Sequence, residues 1–138
     1  LGSGNFTNFK PNKINLYDIE RGQNILNVLS RYDVGQSIIV QQGTVIGIES
    51  IEGTDELIKR SYKFLKSNGE KATLIKLFKK KQEIKADLPT IGTKTLSLCK
   101  KNLFSGIVFS ANKTLFIDKK KIIKKMENNN MFLLGADA

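Results

Sequence analysis

The chain is 138 residues long, 40% hydrophobic and strongly basic, with 23 Lys and Arg against 13 Asp and Glu and a formal net charge of +10. That length suits one domain able to bury a core, and no apolar run approaches the ~20 residues that a membrane-spanning helix needs. One cysteine, Cys99, and no histidine exclude an internal disulfide, a Cys/His zinc site and histidine triads, so any catalysis falls to carboxylates, lysines, hydroxyls and metal. Of the basic residues 20 are Lys and 3 are Arg, spread along the chain without interleaved aromatics, a pattern that argues against specific nucleic-acid binding.

Residues 1–15 are polar, rich in Gly and Asn and without periodicity, and read as a disordered, linker or cloning-derived segment ahead of one domain at 16–138. Asp18 to Tyr32 then has an apolar side of Ile19, Gly22, Ile25, Leu26, Val28 and Leu29 at helical spacing. In its first turn Asp18 and Glu20 complement the helix dipole, and Arg21 reads as a solvated cation. Asp33-Val34-Gly35-Gln36 leads into an apolar strand at Ser37 to Gln41, where Gln36 is either an edge residue or a ligand-facing amide.

The chain is organised around 33–58. Gln42-Gly43 offers a tight reversal, so the strand at 37–41 and the β-branched run Thr44 to Ile51 read as a hairpin. Alternation places Val45, Gly47, Glu49 and Ile51 on one face, which makes Glu49 a carboxylate on an otherwise apolar side. It either sits at an exposed sheet end or serves a site. Glu52-Gly53-Thr54-Asp55 hands the strand to a helix running to Ser67. Such a junction leaves backbone N–H groups at the positive helix end, where Gly53 and Thr54 let an anion approach. Glu52 and Asp55 add the hard oxygen ligands that Mg2+ uses when it shares a phosphate with protein. The alternative for Asp55 is a plain helix cap.

Ala72 to Phe78 is a second β-rich run interrupted only by Lys76, which either snorkels from an edge or points its ammonium at a phosphate. Pro89 and Gly92 punctuate a loop at 82–92 in which Asp87 is either a turn-stabilising or a functional carboxylate. A helix at 93–102, strands at 107–110 and 114–117 around an Asn112-Lys113 turn, a helix at 119–128 capped by Asp118, and a closing strand at 131–134 complete the chain. The order helix-strand-strand-helix-strand occurs twice. It predicts an α/β fold, a mixed-sheet α/β sandwich built from two such halves, with strands 37–41, 44–51, 72–78, 107–110 and 114–117 in one sheet system.

YDIERG at 17–22, DVGQ at 33–36, IEGTDELI at 51–58 and DLPTIGTKT at 87–95 stand in one order. In that order, and over about residues 16–135, the chain resembles the carboxy-terminal hydrolase domain of the Mg2+-dependent UDP-2,3-diacylglucosamine pyrophosphatases that lack the calcineurin-like fold. The resemblance implies hydrolysis of the substrate's pyrophosphate bond to lipid X and UMP in lipid A biosynthesis, in the cytoplasm of a Gram-negative bacterium and peripheral to its inner membrane. Asp55 with Glu52 as helper would then hold Mg2+ or direct water, while Arg21, Gln36, Gly53, Thr54, Lys76 and Asp87 would contact substrate. Partners implied are the sugar nucleotide and transient contact with the membrane surface, with homodimer formation left open. The chain would be the carboxy-terminal part of a two-domain protein, slow or inactive alone because an amino-terminal half helps enclose the acyl chains. The competing reading is a nucleotide- or RNA-binding module without turnover.

Overall fold

A computed structural model of the chain describes residues 1–79, 88–101 and 103–137. In chain order its elements are β1 (Gly4–Asn5), α1 (Lys13–Leu29), β2 (Ser37–Gln41), β3 (Thr44–Ile48), α2 (Thr54–Ser61) and β4 (Thr73–Lys76), followed by β5 (Thr90–Ile91), α3 (Thr93–Lys101), β6 (Gly106–Ser110), β7 (Leu115–Phe116), α4 (Lys119–Asn128) and β8 (Phe132–Ala136). Six strands form a mixed sheet in the order β1-β8-β6-β4-β2-β3, with β4, β6 and β8 parallel and β2 antiparallel to both β3 and β4. Helices cover both faces, so the α/β architecture is as the alternating apolar runs imply.

Strand periodicity decides which side each residue serves. Ile38, Val40, Ile75 and Val108 pack against Ile19 and Leu26 of α1 on one face. On the other, Ile39, Leu74, Ile107 and Phe109 pack with Leu57 and Ile58 of α2, Leu96 and Cys99 of α3, and Ile122 and Met126 of α4. Burial raises the Cys99 thiol far above its ordinary value, as suits an inert core residue. The turn between β2 and β3 has positive φ at both Gln42 and Gly43, which matches the twist of a two-residue hairpin.

Several expectations change. Between Ile39 and Val40 the register with β3 slips, because Gly47 pairs with Ile39 and Val45 with Val40, leaving Ile46 as an extra residue. This bulge breaks the simple alternation: Val45 packs on the α1 side, while Ile46 turns to the other core and Gly47 lies against Ser61 and Leu57 of α2. The run at 114–117 does not join the main sheet through a hairpin with β6; Leu115–Phe116 pairs in parallel with Thr90–Ile91 as a separate two-stranded sheet. The element order of the two halves therefore repeats without equivalent pairing. α2 is a single short helix ending at Ser61, continued by a 3-10 turn at Tyr62–Phe64, and Asp118 lies in the left-handed region and makes no side-chain cap to α4.

The opening residues are attached rather than free. β1 pairs with β8, Phe6 packs against the core and its N–H donates to the Leu133 carbonyl. α1 starts at Lys13, earlier than its apolar stripe suggests, because Asn12 and Asn15 cap it reciprocally through side chain and backbone. No helix among the described residues is long and apolar enough to cross a membrane.

Candidate functional site

The sheet end where β4, β6 and β8 finish, and where β2 begins, gathers a buried polar cluster. Ser37 and Lys76 are direct partners across β2 and β4, and the strand phase turns both toward α2 and α3. The Lys76 side chain does not snorkel. The residue is only 9% exposed, and its ammonium donates to the Thr90 carbonyl at 2.8 Å. Burial pulls the Lys76 pKa below its ordinary value, against the opposing fields of Glu49 and Asp55. An ammonium has three donors; among the described residues this one has a single bonded partner, and neither carboxylate lies within ion-pair distance.

The α2 amino end supplies the opposite wall. Gly53, with φ of 88°, occupies the N-cap position, where the left-handed conformation lets the chain turn sharply from β3. Thr54 is buried at the first helical position and joins two elements: its hydroxyl lies 2.7 Å from that of Ser37 and donates to Glu49 Oε1 at 3.0 Å. Asp55 does not cap α2. Its Oδ1 accepts from the Thr95 hydroxyl of α3 at 2.6 Å, and it lies near enough to Lys76 to oppose the loss of its proton.

Glu52 stands apart in its bonding. Its Oε1 accepts from Arg60 Nε at 3.1 Å and Nη2 at 2.7 Å, and its Oε2 accepts from the Ser50 hydroxyl and N–H. The Arg60 hydrogen bond, with the further N–H and Ser50 bonds, holds the Glu52 carboxyl down to about 2. Gln36 lines a cleft of about 460 Å3 beside Glu49, and its carbonyl accepts from Leu77 N–H at 2.9 Å. Arg21 is exposed on α1, across the sheet from this cluster, beside a shallow groove with Tyr17 and Asn24. Asp87 lies outside the described residues.

The structure thus brings together Gly53, Thr54, Asp55 and Lys76, sets Gln36 at their margin and leaves Arg21 on the other face. It adds Ser37, Glu49, Thr90 and Thr95. Glu49 carried a signal as a charged residue in a β-branched run; single hydroxyls and a backbone carbonyl carry none.

No group of three or more Cys, Asp and Glu side chains that could hold a metal exists among the described residues. Asp55 nevertheless fits a Mg2+ ion shared with a phosphate, since that ion takes one or two protein carboxylates, and Asp55 Oδ2 makes no hydrogen bond among the described residues.

The model of the LpxI C-terminal domain matches residues 2–134. The chain belongs to this family. Among curated proteins it is similar to the UDP-2,3-diacylglucosamine pyrophosphatase LpxI of Caulobacter vibrioides, at 30% identity over 142 residues. That alignment takes in 99% of this chain and 51% of the relative, so the chain spans about half the length of the LpxI protein it matches. Among the described residues Lys76 and the carboxylates that face it keep hydrogen-bonding capacity open, as do the buried atoms Asn5 Oδ1, Ser61 Oγ and Thr73 Oγ1, which carry no charge.

Proposed function

We propose that this chain is the catalytic part of a Mg2+-dependent hydrolase that cleaves the pyrophosphate bond of UDP-2,3-diacylglucosamine to lipid X and UMP in lipid A biosynthesis. The observation that carries the reading is Lys76, a buried cation with one hydrogen bond among the described residues, set opposite Asp55 at the mouth of the sheet. Pyrophosphate resists attack because its oxygens repel nucleophiles, so a catalyst must neutralise that charge and orient water. The two Lys76 donors that make no hydrogen bond among the described residues and the amides at Gly53–Thr54 suit phosphate oxygens, while Asp55 Oδ2 orients water or takes part in holding the metal. Bound Mg2+ would supply charge neutralisation on the phosphates. Glu52 serves as helper only to the extent that Arg60 and Ser50 release it. The protein works in the cytoplasm against the inner-membrane surface, where a net charge of +10 favours anionic lipid.

The test is hydrolysis by the intact protein in oxygen-18 water with Mg2+. Label in lipid X rather than UMP fits attack on the phosphorus next to glucosamine. Absence of cleavage of any sugar-nucleotide pyrophosphate with any divalent metal defeats the reading. Asp87→Asn belongs in the same assay, because the matched motif contains that carboxylate.

A further inference from the structure

A cavity of about 460 Å3 opens at the same sheet end and is lined by Asp33, Gly35, Gln36, Glu49, Ile51 and Lys79 among others. Its size is within the range of small-molecule clefts, ~300–1,000 Å3. Its charge is unsuited to phosphate. Lys79 is paired with Asp33 at 2.9 Å, which leaves Glu49 as the charge in the lining without an ion-pair partner among the described residues. Glu49 joins this cleft to the cluster. Oε1 accepts from Thr54, whereas Oε2 makes no hydrogen bond among the described residues. A carboxylate oxygen in that position repels anions and accepts hydrogens from hydroxyls.

The two compartments therefore ask for different parts of one ligand. Beside Lys76 an anionic group is favoured; beside Glu49 the group must be uncharged and must donate. A nucleotide has that polarity, with phosphate next to a vicinal diol, and carboxylates at the carboxyl ends of sheet strands hold ribose in this way in other α/β proteins. We propose that the cleft at Gln36, Glu49 and Ile51 is the ribose subsite, with Glu49 accepting from the 2′- and 3′-hydroxyls of the nucleotide half of the substrate. This rests on the sugar-nucleotide reading above and names which half of the molecule lies on which side of Thr54.

The test is calorimetric binding to the intact protein of UMP, 2′,3′-dideoxyuridine monophosphate and inorganic phosphate, with and without Glu49→Gln. Gln keeps an oxygen for Thr54 and replaces the other acceptor by a donor. The wild type is expected to bind UMP at least about tenfold more tightly than the dideoxy compound, since hydrogen bonds to charged acceptors are strong. In Glu49→Gln that ratio falls toward one, with phosphate affinity unchanged or higher. Equal binding of the two nucleotides by the wild type overturns the subsite, and this comparison needs no variant to fold. An undiminished ratio in a folded Glu49→Gln overturns the role of Glu49. If neither UMP nor phosphate binds, the hydrolase reading fails along with the subsite; if phosphate binds and the ribose hydroxyls make no difference, only the subsite fails.

Discussion

The two ends of the sheet both carry charged side chains in or at the edge of the core, and they differ in how completely those charges are bonded. At the hairpin end Asp18 is fully buried and accepts from the N–H groups of Gln42 at 3.0 Å and Gly43 at 2.7 Å, one per carboxylate oxygen. Beside it Glu70 takes hydrogen bonds from Asn12, Asn15 and Ser105, and Gln41 ties β2 to Lys66 and Glu70. These groups hold α1, the hairpin and β6 together and have little left to offer a ligand. At the opposite end Lys76, Asp55 and Glu49 each have one hydrogen-bonded partner among the described residues. Lys76 is desolvated with one such bond made, at a cost in stability that a bound ligand can restore, while Asp55 and Glu49 are half-buried with one oxygen each open to a ligand.

The comparison predicts opposite effects of removing a carboxylate at the two ends. In the intact protein Asp55→Asn is expected to lower kcat roughly 10²–10⁴-fold, the range for a group that handles the proton of a nucleophile. Its thermal midpoint should barely move, because the amide oxygen still accepts from Thr95. Lys76→Met should likewise keep or raise the midpoint by removing a buried charge, and raise KM for substrate. Turnover like wild type in Asp55→Asn would end the claim that under-bonded groups mark the site.

Asp18→Ala supplies the other arm. Two charge-assisted bonds to backbone amides vanish, at about 1.5–3 kcal/mol each, so a stability loss of about 3 kcal/mol or more is expected in denaturant titration. Activity per folded molecule should stay near wild type. A rate loss without a stability loss would place chemistry at the hairpin end and invert the comparison.

Much of the frame was legible. Two-residue turn chemistry at Gln42-Gly43, the α1 stripe and the strand around Lys76 are local signals, and local signals survive folding. Lys76 stands out as a charge in an apolar strand, whereas Asp55 reads equally as a cap and is singled out by its place beside Glu52 in the matched motif. What was hidden depends on distance along the chain. Thr95 meets Asp55 across 40 positions and Lys76 meets the carbonyl of Thr90, contacts that no period encodes. β1, β5 and β7 are two residues each, too short to show alternation. The bulge at Ile46 shifts phase without altering composition, and Asp18 looks like a dipole partner until the hairpin folds back onto it.

Acid sharpens the contrast at smaller amplitude. Burial works to raise the Glu70 pKa, but hydrogen bonds from Asn12, Ser105 and Asn15, with the charge of Lys71, outweigh it and hold the group below 4.5. A carboxylate lowered in the folded state binds its proton more readily when unfolded, so its stabilisation is complete above about pH 4.5 and fades as pH falls through the folded value. Thermal midpoints should therefore drop on acidification below that point, and Glu70→Gln should be less stable at neutral pH but lose less on acidification. A parallel drop in wild type and Glu70→Gln would show that other carboxylates govern the acid limb.

The smallest effect is expected at Glu52, which lies beside the site yet is bonded like the hairpin-end carboxylates. Four hydrogen bonds from Arg60 and Ser50 occupy it, and Arg60 is about half exposed, so screening by solvent limits what the pair adds to stability. Glu52→Gln keeps an oxygen for Arg60 and should lower kcat by no more than about tenfold, the low end of what outer-shell residues cost. Titrating Mg2+ against activity in this variant distinguishes the roles. An unchanged Mg2+ requirement leaves Asp55 as the carboxylate that matters, with Glu52 fixing Arg60 over the Ile48 carbonyl at the end of β3. A rate loss as deep as that of Asp55→Asn, with a steep rise in the Mg2+ needed, would mean that Glu52 leaves Arg60 to join the metal, and full bonding in the free protein would then be no guide to function.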